Sequence, residues 1–579
     1  MDWKRFDRAR ESASPLELDL VENYAKGRIS RRNFVKRGTM IGLSVPFMGS
    51  IIAACGGDDD DATPADDTGG EDTADATNDG TSETPAAGGG DIIAGIQTGD
   101  ATSGLDPLNM LDLGTYCVLS QSFEYLVGLG DDGNIAATGL AESWEPNEDG
   151  SAWTFTLRPG VQWMGGGTLT SADATATIDR MAAVGAGLAG VVSEGNTETI
   201  DDLTFVVNLD SPNGNLPVLL SLFNPQSLIT PADYASGTVL NERTTGTGAW
   251  MLDDFDPGAF RARFVPNPDW WGGSVNLDSV TLQGFDTGGT KVAALAAGEI
   301  DVIQDFTIND GATLLDDPNV VVMRPPSANH RQLWFNTQLP EGGPFTDPRV
   351  RQAVCYAVNR QQIVDTIYEG QAVIGNDHPI SETLPFFDET QEQRPYDPEM
   401  ARQLLADAGY DGGVEDVLQV GEIGEVPQLA AIVQANLAEV GINVQVGVSP
   451  NSDFYGEYWC TESTGPTQPC GTSASIGIVD YGHRPTPDVY FGRALATGGD
   501  WNSSNYASSE FDTLFGEYQA SLDVEGQKAA VGKIQRLLHE DAPACYHSFF
   551  NYLAGHSTEV DGIQTTALGH LYFQNATKG

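Results

Sequence analysis

Thr346 to Gly370 reads TDPRVRQAVCYAVNRQQIVDTIYEG, and its spacing decides what kind of body the chain builds. Asp347 suits an N-cap, Pro348 a first helical turn and Gly370 a helix end. Val350, Ala353, Val354, Ala357, Val358, Ile363, Val364 and Ile367 form one apolar stripe, which predicts a single long helix laid on a core. Downstream, VPQLAAIVQANLAEVGINVQVGV (426–448) places another helix directly before Gly441 and a strand in which Ile442, Val444, Val446 and Val448 alternate. Upstream, SAWTFTLRPGVQW (151–163) puts Trp153, Phe155 and Leu157 on one face and Thr154, Thr156 and Arg158 on the other, a half-buried strand ending in a Pro-Gly turn. DDLTFVVNLDSP (201–212) is a similar strand, and KAAVGKIQRLLHEDAP (528–543) is an amphipathic helix stopped by proline. Helix followed at once by strand is an α/β unit, so the body belongs to the α/β class.

The ends behave differently. Ser30 to Cys55 reads SRRNFVKRGTMIGLSVPFMGSIIAAC. The 17 residues from Gly38 to Ala54, broken by Gly42, Pro46 and Gly49, fall short of the ~20 apolar residues a membrane span needs. Ten Lys/Arg against six Asp/Glu over residues 1–54, set ahead of a short apolar core, fit an export signal instead. SRRNFVK resembles a twin-arginine signal and IIAAC a lipobox, which implies cleavage before Cys55 and a lipid on that cysteine. Residues 56–90 carry eleven Asp/Glu, no Lys or Arg and no large apolar side chain. Such a segment cannot bury enough surface to order itself, so 55–90 is expected to be an acidic tether of roughly 30 Å reach.

Without the signal, 19 Lys/Arg face 76 Asp/Glu, a net charge of −57. That field repels phosphate and argues against nucleic acid as a partner. Among the cysteines beyond Cys55, Cys460 and Cys470 bracket a Gly/Pro/Thr-rich loop suited to a disulfide. The remaining count is odd, and Cys355, on the helical stripe, is the expected unpaired thiol. There is no CxxC, HExxH, Gly-x-Ser-x-Gly or Ser-x-x-Lys, so neither catalytic residues nor a metal or other cofactor is expected. His539, Glu540 and Asp541 sit at a helix end, where such a cluster serves solvation and capping.

The order LDPLN (105–109), LAESW…TFTLRPGV (140–161), NPDWWGG (267–273), DPRVRQAVCYAVNR (347–360) and YDPEMARQLLADAGY (396–410) resembles the peptide/nickel class, family 5, of extracellular solute-binding proteins serving bacterial ABC importers. QWMGGG (162–167) stands where many relatives carry a His-Asp-Gly turn. The resemblance implies a two-lobed, periplasmic-binding-protein-like α/β fold of mixed sheets flanked by helices. By that analogy 91–125, 245–330 and 555–579 form the first lobe, 126–244 an extra domain inserted in it, and 331–554 the second lobe. The implied partners are a peptide or similar small polar ligand, an ABC permease and, through the lipid, the membrane. The implied protein is a monomer in the cell envelope, either lipid-anchored on the outer face of the cytoplasmic membrane or periplasmic. A secreted hydrolase or a sensor on the same scaffold is the other class of reading.

The polar, aromatic stretch 478–506 is the expected ligand-contacting part of the second lobe, with Asp480, Tyr481, His483, Arg484, Trp501 and Asn502 as candidates. In peptide-binding relatives an acidic residue in the matching loop pairs with the ligand's α-amino group, which would be Asp480 here. Arg484 could instead receive a carboxylate in bidentate fashion, or the two could pair with each other. Tyr116 lies where relatives place a wall of the cleft. For Tyr116, Tyr481 and Trp501 the alternative is plain core packing. The lipobox gives the first expected outcome: Cys55→Ala leaves the chain uncleaved and unlipidated, checked by intact mass and loss of membrane retention.

Overall fold

The computed structural model describes residues 89–579 except 100–104, 109, 111, 131–133, 189, 236–245, 340–341 and 460–473. The export signal, Cys55, the tether up to residue 88, and Cys460 and Cys470 therefore lie outside the described residues.

Three larger sheets organise the rest. The first has seven strands in the order Val320–Met323, Leu553–Ser557, Val302–Phe306, Asp91–Gln97, Ser279–Phe285, Arg261–Pro266 and Trp250–Asp256. Asp91–Gln97 runs parallel to both neighbours, while the outer pairings are antiparallel. The second has six strands in the order Ala372–Ile374, Ala544–Phe550, Asn329–Phe335, Ile476–Tyr481, Val414–Gly421 and Ile442–Ser449. The third has four: Ala141–Pro146, Ala152–Leu157, Thr204–Asn208 and Thr197–Thr199. The mixed α/β class is thus observed, with helices packed on mixed sheets. The chain passes between the seven- and six-stranded sheets twice, between Met323 and Asn329 and between Phe550 and Leu553.

In the four-stranded sheet Trp153, Phe155 and Leu157 are buried as their alternation requires. The QWMGGG turn is closed by a bridge between Gln162 and Thr168, with Gly166 and Gly167 at positive φ where a side chain would be strained. The stretch that opened the sequence analysis departs from its expectation. It folds as two helices, Pro348–Ala357 and Arg360–Ile367, separated by extended Val358. Asn359 causes the break: its side chain accepts the Gln362 N–H at 3.0 Å as an N-cap, and its own N–H donates to Asn436 Oδ1 at 2.9 Å. The stripe still works, because Val350, Ala353, Val354, Ala357, Val358 and Ile363 all enter the core of the six-stranded sheet. Helix Val426–Glu439 brings Leu429, Val433 and Leu437 to the same core. Its following strand lies at the sheet edge, where Val448 is 47% exposed rather than buried.

Of the described cysteines, Cys117, Cys355 and Cys545 are all buried and unpaired. Leu429 is fully buried, so Leu429→Ala should cost about 2–5 kcal/mol. The check is urea unfolding, with a lowered midpoint and an unchanged slope.

Candidate ligand-binding site

The strand Ile476–Tyr481 pairs antiparallel with Asn329–Phe335, setting Asp480 opposite Arg331 and Tyr481 opposite His330. Side chains alternate along a strand, so Asp480 and Arg331 share one face and Tyr481 and His330 the other. On the first face Arg331 Nε lies 3.0 Å from Glu425 Oε1, Tyr368 donates its hydroxyl to the same oxygen at 3.2 Å, and the Arg331 guanidinium sits 4.6 Å over Phe550. Asp480 accepts a hydrogen bond from the Tyr455 hydroxyl. Among the described residues no ion pair joins Asp480 to Arg484, and neither has another ion-pair partner.

Beyond the strand, Arg484 donates Nη1 to the His483 carbonyl at 2.7 Å. It faces Tyr116 from the helix Leu113–Ser122: burial pushes the Tyr116 hydroxyl pKa up and the nearby Arg484 charge pulls it part-way back. Tyr116 stacks on His570 at 6.4 Å, and the His570 ring meets the Tyr125 hydroxyl at 3.1 Å. His483 is buried, takes the Ala328 N–H on Nδ1 at 3.0 Å and meets Phe223 edge-on at 6.1 Å. The loop thus brings Tyr116, His483 and Arg484 together from two sheet systems.

The other candidates fall differently. Tyr481 is 5% exposed and packs with Trp459, Tyr490 and Trp501, donating its hydroxyl to the Trp501 carbonyl at 3.2 Å. Trp501 is half-buried, with the Arg493 guanidinium 3.6 Å from its ring centre. Asn502 is occupied by its own loop: Nδ2 donates to the Ala496 and Tyr506 carbonyls at 3.0 and 2.8 Å, and Oδ1 accepts the Tyr506 N–H at 3.1 Å. That amide shapes the loop, with both Nδ2 donors and one Oδ1 lone pair engaged by its backbone.

Two features escaped the sequence reading. Tyr455 and Trp459 flank Asp480 and Tyr481; the aromatic density of DFYGEYW (453–459) was the available signal. The second is a buried polar seam between the segment leading to Leu216–Leu219 and the helices near the C-terminus. Asn215 Nδ2 donates to Asp488 at 2.9 and 3.1 Å and to the Tyr518 hydroxyl at 3.0 Å, while its Oδ1 accepts Gln527 Nε2 at 2.9 Å. Tyr518 closes the ring by donating to Asp488 Oδ2 at 2.9 Å. No single sequence window holds these four residues. Beside the seam lies a cavity of about 660 Å³ bordered by Trp144, Trp153, Phe223, Phe386, His483 and Thr566. A concave, mainly apolar space with a few polar groups, set between sheet systems, is the usual form of a small-molecule site.

Residues 136–473 match the family model described as bacterial extracellular solute-binding proteins, family 5, middle part. The chain belongs to this family. It is similar to heme-binding protein A of Haemophilus influenzae, 26% identical over 483 residues covering 77% of this chain and 85% of that protein. The dipeptide-binding protein of Escherichia coli is 25% identical over 476 residues, covering 76% and 85%. Among solved structures, HbpA2 from Haemophilus parasuis superposes with a TM-score of 0.73 at 22% identity, over 84% of this chain and all of that one. The fold of this family 5 member is therefore that of the periplasmic binding proteins.

Burial holds several histidines neutral. His330 is pushed down to about 4 and His378, His483, His547 and His570 to about 3; for His483 the Arg484 charge adds to burial. Because these folded values lie below the ordinary value of about 6.5, the unfolded chain binds more protons in between. Their contribution is complete above about pH 6.5 and is lost as pH falls from there towards the folded values. Thermal midpoints should therefore drop steadily between about pH 6.5 and 4. His483→Gln should make that drop shallower, as melts across the range will show, and an unaltered slope would remove His483 from the account.

Proposed function

We propose that this chain is an exported, lipid-anchored receptor that captures a small polar solute, a peptide foremost, between two lobes and hands it to an ABC permease. The lobes follow the expected ranges: 91–125, 245–330 and 555–579 for the first, 126–244 for its extra domain, and 331–554 for the second. Sheet membership supports this division to within two residues, since Leu553–Ser557 belongs to the seven-stranded sheet and Asn329–Phe335 to the six-stranded one, which moves the two bounds to 328/329 and 552/553.

The observation that carries the reading is the separation of charge on one loop. Asp480 and Arg484 are four positions apart, yet among the described residues neither has an ion-pair partner, in a chain with a large acidic excess. Among the described residues Arg484, beside a tyrosine wall, has no carboxylate within ion-pair distance and suits a ligand carboxylate, while Asp480, which accepts from the Tyr455 hydroxyl and lies across the strand pair from Arg331, suits a ligand ammonium. A zwitterion such as a short peptide offers both. The relatives named for heme and for dipeptide show that one family holds unlike ligands, so the charge pattern, not the family, selects the class.

Native mass spectrometry of gently purified protein identifies the retained compound, and calorimetry with that compound then tests the loop. Arg484→Gln and Asp480→Asn should each weaken binding by about 10- to 150-fold, the effect of about 1.5–3 kcal/mol for a lost charge-assisted bond. Thermal midpoints should stay put, since among the described residues neither side chain closes an ion pair. Unchanged affinity in both variants would move the site off this loop.

A further inference from the structure

Under the six-stranded sheet, helix Pro348–Ala357 and strand Ala544–Phe550 each bring one cysteine to the same buried point. Cys355 and Cys545 are both fully buried, and their sulfurs and a carboxylate oxygen of Asp377 lie within 4.8 Å of one another. Two sulfurs and a carboxylate have the composition of a metal site, but the neighbours speak against a cation. Asp377 gives Oδ1 to Arg360 Nη2 and Oδ2 to Arg394 Nε, each at 2.6 Å, so two buried guanidiniums already share one carboxylate. Arg360 also reaches Cys545 Sγ at 3.7 Å and the Cys355 carbonyl at 2.9 Å. With both Asp377 oxygens already held by guanidiniums, only the two sulfurs remain as ligands, fewer than the four a structural zinc site uses. Each sulfur is left facing the other.

We propose that Cys355 and Cys545 form a disulfide site. A disulfide oxidant, such as oxidised glutathione or an exchange protein of that class, is attacked by one thiolate to give a mixed disulfide. The second cysteine displaces it, forming one S–S bond, so the pair loses two protons and two electrons and the oxidant leaves as two thiols. The sulfurs, which lie within 4.8 Å of each other, need to close to about 2.05 Å. Burial pushes the Cys545 thiol well above its ordinary range and seals both groups from reagents, so the bond forms as helix and strand dock, not in the closed fold. With Cys460 and Cys470 close in sequence, this pairing makes Cys117, and not Cys355, the thiol left over.

The test is made on the full chain, refolded in a glutathione redox buffer, quenched in acid, alkylated and mapped by peptide mass. The expected product links the Cys355 and Cys545 peptides, lighter by two hydrogens than the separate pair, and melts at a higher temperature than reduced chain. Cys355→Ser and Cys545→Ser should each remove the link and the added stability, while Cys117→Ser keeps both. Full alkylation of both cysteines after refolding, pairing of either with another cysteine, or stoichiometric zinc retained by the reduced chain would each overturn the proposal. None of these readouts depends on the ligand or on export, so the receptor reading can fail separately.

Discussion

The strand Asn329–Phe335 is hydrogen-bonded on both sides, to Ile476–Tyr481 and to Ala544–Phe550, and it begins where the chain enters the six-stranded sheet. Its register places Arg331 against Asp480 and His330 against Tyr481. A slip of one residue would exchange the two faces, burying a guanidinium among aromatics and turning His330 towards Glu425. The rings of Tyr481, Tyr490, Tyr546 and Phe549 all pack around His330 within 5.1 to 6.1 Å of it or of one another, so the apolar face strongly resists that slip. The charged loop that follows Tyr481 inherits its position from this pairing.

Asp377 plays the corresponding part beneath the sheet. Burial alone would raise its pKa, but Arg360 and Arg394 outweigh that and hold it at about 2. Arg360 reaches Asp377 because Asn359 interrupts the long helical stretch and starts a new helix. The break that looks like a flaw in an amphipathic pattern is what delivers a buried cation to its partner. Removing one member of such a cluster leaves an uncompensated charge, which is why arrangements of this kind are costly to alter.

Periodicity was enough to locate the half-buried strand around Phe155, the helix-then-strand unit around Val433 and the late helix ending near Pro543, because apolar faces repeat at fixed spacing. The division of Thr346–Gly370 was not legible, since Asn359 sits in a run whose apolar positions continue on both sides and only its partner Asn436 shows why the helix stops. Around residues 478–506, residue type alone did not disclose each side chain's task. Asn502 looks like a recognition amide and is consumed by the Ala496 and Tyr506 backbone, while Tyr481 looks like a contact and is 5% exposed. Tyr455 and Asn215 act across the tertiary structure, and such long-range partners leave no local periodic trace.

The seam of Asn215, Asp488, Tyr518 and Gln527 is built from amide, hydroxyl and carboxyl groups instead of hydrocarbon. Hydrogen bonds between such groups are replaced by bonds to water when the surfaces part, so their net worth is small at equilibrium although all of them must break together. Hydrocarbon would hold the segment before Leu216–Leu219 against these helices in proportion to area and with little regard to angle; four polar side chains bonded in a ring hold it in one orientation, because each bond has a direction as well as a length.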